Sequence, residues 1–182
     1  MVEAWYMDDS DADQRHEHHL NPKKYVNLEE LKSKTGVLYW PINVDNIEKE
    51  GKLAEIKKDR GYNYEDMLIC SKEKLPDYEN KLKIFYNEHL HADEEIRLVL
   101  EGSGYFDVRD NEDKWIRIKV TKGDLLVLPA GIYHRFTLDF DNYIKVNRLF
   151  CGEPVWTAVP RPAEEHPARE KYLKALHCEM AK

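Results

Sequence analysis

The residues between positions 88 and 97 are the ones most capable of chemistry. In Glu88-His89-Leu90-His91-Ala92-Asp93-Glu94-Glu95-Ile96-Arg97, a period of two puts His89, His91, Asp93, Glu95 and Arg97 on one face of an extended segment. Left buried without partners, such a row of imidazoles, carboxylates and a guanidinium would be costly. A divalent metal satisfies it. Neutral imidazoles and an ionised carboxylate suit Fe, Ni, Zn, Mn or Cu, and the stretch contains no cysteine to suggest a closed zinc or iron–sulfur site. Glu94 has the opposite parity and falls with Ile96 on the other face. Asp93 shares the parity of Glu95 and is its rival for the carboxylate position.

A second segment, Gly123-Asp124-Leu125-Leu126-Val127-Leu128-Pro129-Ala130-Gly131-Ile132-Tyr133-His134, supplies a third imidazole. Its apolar run reads as a buried strand, Pro129-Ala130-Gly131 as a turn, and His134 as the start of the next strand. The two spacings, H-x-H-x3-E-x6-G over 89–102 and G-x5-P-x-G-x2-H over 123–134, resemble the paired motifs of the cupin superfamily. Lys83 replaces the glycine of that pattern six positions before the first His, and Leu138 replaces its asparagine. Both departures mark a divergent branch and leave the ligand positions intact. Three imidazoles and a carboxylate would leave two positions of a six-coordinate ion open for a chelating anion. Arg97, on the same face, would hold or neutralise that anion. The alternative for Arg97 is a structural ion pair with Asp93 or Glu101.

Length and composition set the frame. A chain of 182 residues, 42% of them hydrophobic, suits one domain with a real core. The 28 Lys and Arg against 35 Asp and Glu give a net charge of −7, which disfavours nucleic acid and anionic membrane as general partners. Cys70, Cys151 and Cys178 are too scattered for a disulfide framework or a cysteine metal motif, so a reducing compartment is expected. No stretch approaches membrane-span length and the start lacks a basic flank followed by an apolar run, so the expectation is a soluble cytoplasmic protein. No long apolar surface stripe is left over, which favours a monomer.

Taken in order, residues 2–7 suit an edge strand and 8–24 a solvated loop, with His16, His18 and His19 in it. Asn27 is set to cap a helix over 28–34 that Gly36 would stop. A short strand over 37–40 ends at Pro41. Dense charge with Ile47, Leu53 and Ile56 over 45–60 fits one or two helices broken at Gly51. A helix over 75–88 carries Tyr78, Leu82, Phe85 and Tyr86 on one side. From 97 onward the pattern is strand and turn: 97–100, a Gly102-Ser103-Gly104 bend, 105–109, 115–120, 125–128, 134–138 and 143–150. The tail from 151 ends in an amphipathic helix over 168–180 that uses Tyr172, Leu173, Leu176 and Met180 to dock on the sheet. His166 and His177 read as surface residues. The fold expected is therefore mainly β, a single-domain cupin-type antiparallel β-barrel (jelly roll) with several flanking α-helices. Residues 1–88 would form its helical and loop part, 89–150 the barrel, and 151–182 the tail and helix.

Longer stretches narrow the resemblance. Ala4-Trp5-Tyr6-Met7, Phe85-Tyr86-Asn87-Glu88-His89-Leu90-His91, Glu94-Glu95-Ile96-Arg97, Gly102-Ser103-Gly104-Tyr105-Phe106-Asp107-Val108-Arg109, Leu128-Pro129-Ala130-Gly131-Ile132-Tyr133-His134-Arg135-Phe136 and Gly152-Glu153-Pro154-Val155-Trp156 are similar to the acireductone dioxygenase family of methionine salvage, and the likeness covers nearly the whole chain. It implies a metal held by His89, His91, Glu95 and His134, with Fe(II) or Ni(II), or else Co or Mn, as the cofactor. It further implies Arg97 as the catalytic residue and Phe85, Phe136, Arg148 and Trp156 as the substrate pocket. The substrates implied are dioxygen and the acireductone 1,2-dihydroxy-5-(methylthio)pent-1-en-3-one. With Fe(II) the products would be formate and 4-methylthio-2-oxobutanoate; with Ni(II), formate, carbon monoxide and 3-(methylthio)propanoate. The aromatic residues would border the thioether tail. Relatives in eukaryotes point to cytoplasm and nucleus, and to a protein-binding second role.

Overall fold

In the computed structural model, residues 2–180 are described, Met180 by its backbone alone, so the packing expected of its side chain lies outside the described residues. The β-pattern of the second half becomes β5 (His89–Leu90), β6 (Glu95–Arg109), β7 (Trp115–Thr121), β8 (Asp124–Leu128), β9 (His134–Leu138), β10 (Ile144–Phe150) and β11 (Val159–Pro160). The first half adds β1 (Glu3–Tyr6), β2 (Tyr25–Val26), β3 (Leu38–Pro41) and β4 (Tyr64–Cys70). All pair antiparallel in two layers that share β6. Its first half lies in the layer β3-β8-β6-β10-β4, and its second half in β2-β1-β7-β6-β9-β5-β11. The mainly antiparallel cupin-type architecture with flanking helices is thus as expected. Its hydrogen bonding does not run round into a closed barrel, an arrangement compatible with a jelly roll.

The strands expected over 97–100 and 105–109 are one. Gly102, at φ 77, turns β6 from one layer into the other, and a Cβ there would fall 2.2 Å from the Tyr143 carbonyl oxygen. Only glycine permits that approach.

Two apolar clusters flank the first layer. Ile96, Leu98, Leu125, Val127 and Leu149 pack outward under Leu53 and Ile56 of α3 (Lys52–Arg60). Val99, Leu126, Leu128, Ile144 and Val146 face inward, toward Phe106, Val108, Ile116, Ile118 and Leu138 of the second layer. Strand β8 is therefore buried on both faces, which is why residues 125–128 are uniformly apolar rather than alternating. Truncating Leu125, which is fully buried, to Ala would cost about 2–5 kcal/mol.

Helix α1 (Leu28–Thr35) forms as expected, with a reciprocal Asn27–Glu30 capping box and Gly36 in the left-handed conformation at its end. Around Gly51 the chain makes a short α2 (Ile47–Glu50) before α3. Helix α4 (Tyr78–Tyr86) is shorter than the 75–88 expected, because Asp77 at φ 55 precedes it and the backbone at Asn87 is already extended. Helix α5 (Pro167–Met180) docks chiefly through α1 and the turn before His134. Tyr172 Oη donates to the Thr35 carbonyl at 2.7 Å and Arg169 Nη1 to the Gly131 carbonyl at 3.2 Å.

Two further expectations are corrected and a third is refined. Strand β1 is an inner strand between β2 and β7 rather than an edge. Strand β4 replaces the helix-or-loop reading of that region, and its Asp66 lies opposite Arg148 of β10. Residues 8–24 are the largely exposed loop expected, but its imidazoles are not all in solvent, because the loop is pinned to the outer face of the second layer. His18 is buried, with Nδ1 2.7 Å from Asp8 Oδ1 and Nε2 2.8 Å from the Asp13 carbonyl, and His19 stacks on Trp5 with ring centres 4.4 Å apart. Cys70 is buried, while Cys151 and Cys178 are exposed, all as free thiols. Among the described residues, no helix is long and apolar enough to cross a membrane.

Candidate metal centre

Residues 89–97 do not form one extended segment. The chain leaves β5 after Leu90, bends at Ala92-Asp93 and enters β6 at Glu95. The shared parity of the two imidazoles with Glu95 therefore comes from a turn that brings two strands to one end of the fold. His89 pairs directly with His134 across β5 and β9, and Val108 of β6 lies beside His134 on the other side.

His89, His91 and His134 converge, with one candidate donor atom from each lying within 4.8 Å of the others. Glu95 Oε2 is 2.9 Å from His134 Nε2. Asp93 is exposed at the bend and Glu94 is engaged by Arg60 Nη2, which donates to it at 2.6 Å; both border the outer recess and neither joins the converging imidazoles. Among the described residues, His16, His18 and His19 join no such group.

The backbone sets the tautomer of each imidazole. His89 Nδ1 contacts the Asn87 carbonyl, His91 Nδ1 the Thr157 carbonyl at 2.8 Å, and His134 Nδ1 the Ile132 carbonyl at 3.0 Å. A carbonyl oxygen can only accept, so in the neutral rings each Nδ1 carries the proton and each Nε2 is left as a lone-pair donor. His134 Nε2 is buried and has no hydrogen-bond partner, although it faces Glu95 Oε2. Nε2 and Oε2 held 2.9 Å apart are bridged by a proton, as an imidazolium–carboxylate pair, or, with the ring neutral, by a metal cation. The donor set and its outer hydrogen bonds thus fit a divalent transition metal.

The electrostatics agree. Burial pushes His89 down to about 4 and also lowers His91. Both rings are therefore neutral at ordinary pH, the form in which an imidazole can ligate. Burial alone would raise Glu95, but the Arg97 charge outweighs it and holds the carboxyl well below the usual range. Arg97 Nη2 donates to Glu95 Oε1 at 2.9 Å and Nη1 to the Ile96 carbonyl at 3.1 Å, so its ion pair is with Glu95 and not with Asp93 or Glu101. Each of the two side chains exposes only 13% of its surface.

Two recesses meet at this pair. The inner one, about 70 Å³, is walled by Phe85, Phe106, Phe136, Leu68, Cys70 and Val146 together with Glu95 and Arg97. Phe85 and Phe136 meet there at 6.3 Å between ring centres. Phe85 also packs against the core, so it is both anchor and wall. The outer recess is bordered by His91, Arg97, Phe150, Val155 and Trp156. Arg148 sits over the Trp156 ring at 4.2 Å, with Arg97 at 5.6 Å, and Arg148 also makes two 2.7 Å bonds to Asp66. Trp156 thus stands at the mouth, apart from the two phenylalanines. A larger cleft of about 1070 Å³ lies elsewhere, between residues 7–15, α4 and the outer face of β9, and none of the three converging imidazoles lines it. Asp66, Phe106, Phe150 and the Asn87, Ile132 and Thr157 carbonyls were not legible as site parts. Apart from the aromatic types of the two phenylalanines, nothing in the sequence signals them.

Comparison with known proteins gives a consistent result. A family model described as "ARD/ARD' family" matches residues 3–158. The chain is 64% identical over 177 residues to "Acireductone dioxygenase" of Ixodes scapularis, covering 97% of each. It is 59% identical to "Acireductone dioxygenase" of Drosophila melanogaster (96% of this chain, 94% of that one). "Acireductone dioxygenase 4" of Arabidopsis thaliana is 60% identical, over 96% and 93% of the two chains. Among solved structures, "Acireductone dioxygenase from Bacillus anthracis with cadmium ion in active center" aligns with a TM-score of 0.68. That match covers 87% of this chain and 98% of that one at 22% identity, a likeness of fold.

Proposed function

The chain belongs to the acireductone dioxygenase family, and from that membership we propose that it uses dioxygen to cleave the acireductone 1,2-dihydroxy-5-(methylthio)pent-1-en-3-one in methionine salvage. His89, His91, Glu95 and His134 would hold one divalent ion, Fe(II) or Ni(II), with Co(II) and Mn(II) as further occupants. Such an ion, when bound, supplies Lewis acidity to an enediolate that is itself the source of electrons for dioxygen. With iron the products are formate and 4-methylthio-2-oxobutanoate; with nickel, formate, carbon monoxide and 3-(methylthio)propanoate.

The protein's part is to bind, orient and exclude water. Arg97, anchored on Glu95, presents a fixed positive charge to an oxyanion beside the imidazoles. The inner recess around Phe85 and Phe136 takes the apolar tail, where sulfur–aromatic contacts contribute about 0.3–1.5 kcal/mol each. Arg148 and Trp156 close the mouth. The same reading takes residues 1–182 as one cupin-like domain and the enzyme as a monomer of cytoplasm and nucleus.

One observation carries the reading most: His134 Nε2, buried without a hydrogen-bond partner and 2.9 Å from Glu95 Oε2, beside two further imidazoles whose Nδ1 atoms are committed to carbonyls. The test is oxygen uptake with the acireductone after anaerobic loading with Fe(II), Ni(II) or Co(II). Uptake is expected in the parent chain and absent in His89→Ala and His134→Ala. Uptake only with a different small oxyacid would make it another cupin oxygenase, and no uptake with any metal would make it a metal-binding protein that acts through protein contacts.

A further inference from the structure

His91 is the one imidazole of the three whose Nδ1 is held from a distant part of the chain. His89 and His134 donate to carbonyls two positions before them, whereas the Thr157 carbonyl reaches His91 from the tail. That carbonyl is fixed only as well as the tail is. The tail is held by β11, whose register against β5 is just Val159 to Leu90 and Pro160 to His89. A two-residue pairing contributes little by itself, so side chains must complete the tether.

Arg161, the next residue, is placed to do so. Its backbone N–H donates to the Glu88 carbonyl at 3.1 Å. Its Nη1 donates to Glu88 Oε2 at 2.8 Å and to Asp113 Oδ1 at 2.9 Å, and its Nη2 to Asp113 Oδ2 at 3.0 Å. The guanidinium also lies 4.5 Å from the centre of the Tyr133 ring, and Tyr133 Oη accepts from the Ala163 N–H at 2.8 Å. Glu88 precedes His89 and Tyr133 precedes His134, so one side chain links the tail to both strands that carry the other two imidazoles. Arg161 lies past the residues 3–158 that the family model matches.

We propose that Arg161 is a positioning residue for the metal centre, fixing the tail on β5 so that the Thr157 carbonyl holds the His91 Nδ1 proton and keeps Nε2 aimed at the ion. The proposal rests on the reading of His91 as a metal ligand. Outer hydrogen bonds to a ligating imidazole fix its tautomer and orientation, and losing one lowers metal affinity about 10- to 100-fold.

The test measures Ni(II) and Co(II) affinity by chelator competition, and the imidazole N–H signals of the metal-free, ¹⁵N-histidine-labelled chain. Arg161→Leu keeps the apolar contact with Tyr133 and removes the tether. It should bind both metals about 10- to 100-fold more weakly and lose the protected His91 Nδ1–H signal, while that of His134 persists. Asp113→Asn, at a more exposed site, should shift affinity the same way by about threefold without changing Tm, and it decides the matter if Arg161→Leu does not fold. Parent-like affinity in a folded Arg161→Leu, or in Asp113→Asn when the former is unfolded, overturns the proposal. His91→Ala separates the two readings. If it binds metal like the parent, the ligand reading fails; if it loses metal while Arg161→Leu does not, only the positioning role fails.

Discussion

Near the start of β6, Glu95 and Arg97 face the recess between the two layers; near its end, Asp107 faces outward from the second layer to Arg117 and Arg135. Both groups bury charge, and they are satisfied to very different degrees. Asp107 Oδ1 accepts from Arg117 Nε at 2.7 Å, and Oδ2 accepts from Arg117 Nη2 and Arg135 Nε, each at 2.8 Å. Arg117 Nη1 goes on to the Gln14 and His16 carbonyls. The Arg135 guanidinium is sandwiched between Tyr86 at 4.2 Å and Trp115 at 4.1 Å. Around Glu95, by contrast, a buried nitrogen of His134 is left unmatched beside a cavity. A buried ion group with every donor and acceptor paired is scaffold, and one that leaves lone pairs converging on a recess is prepared for a guest.

The contrast predicts opposite responses to mutation. The largest effect is expected for His134→Ala, which should lower oxygen uptake at least about 10³-fold while leaving the metal-free chain as stable to urea as the parent. Asp107→Ala should do the reverse. It strands the fully buried Arg117 guanidinium and leaves the partly buried Arg135 without its carboxylate, and should cost about 3–5 kcal/mol of unfolding free energy, with the metal stoichiometry of the folded fraction unchanged. If Asp107→Ala lost metal selectively, the outer group would belong to the site and the contrast would fail.

Arg97→Lys keeps the charge beside Glu95 but not the fork. It should retain metal and lose about 10- to 100-fold in kcat/KM, and parent-like kinetics would make Arg97 structural. The next effect is on pH dependence. Burial holds His89 at about 4, whereas in the unfolded chain it titrates near 6.5. Between those values the unfolded state binds more protons, so the metal-free chain should lose on the order of 1–3 kcal/mol of stability as pH falls from about 6.5 to 4. Above about pH 7.5 this group contributes no slope; a stability curve flat from pH 7 to 4.5 would contradict the burial assigned to it. The smallest effect is expected at the walls. Phe136→Leu should reduce the preference for the methylthio substrate over a desthio analogue by about 2- to 10-fold, and Trp156→Leu, at the mouth, should change that preference less.

The candidate ligands are readable because a metal site needs particular atom types, and two spaced motifs carry them. The way they are brought together is less so. A strand period placed His89, His91 and Glu95 on one face, yet the bend at Ala92-Asp93 means that this face spans two strands. Strand β4 is not legible in the sequence because Glu65 and Asp66 break its apolar pattern, and Asp66 has its partner, Arg148, far along the chain. The anchoring of the 8–24 segment is not legible because it runs through carbonyls that accept from Arg117 and through pairs such as His18 with Asp8, which no local periodicity encodes. The two-sided burial of β8 and the capping of α1 were legible, since both are written in adjacent residues. Long-range polar pairing was the information the sequence did not display.

The central claim is that three imidazoles from two strands and the turn after one of them, with Glu95, grip a single ion and leave part of its coordination open. Crystals of the anaerobically Ni(II)-loaded chain, with anomalous data collected at the nickel edge, test this most directly. One peak is expected, about 2.0–2.2 Å from Nε2 of His89, His91 and His134 and from an oxygen of Glu95, with at least one remaining position taken by solvent. A peak elsewhere, a sphere filled wholly by protein atoms, or His134 turned away from the ion would contradict it.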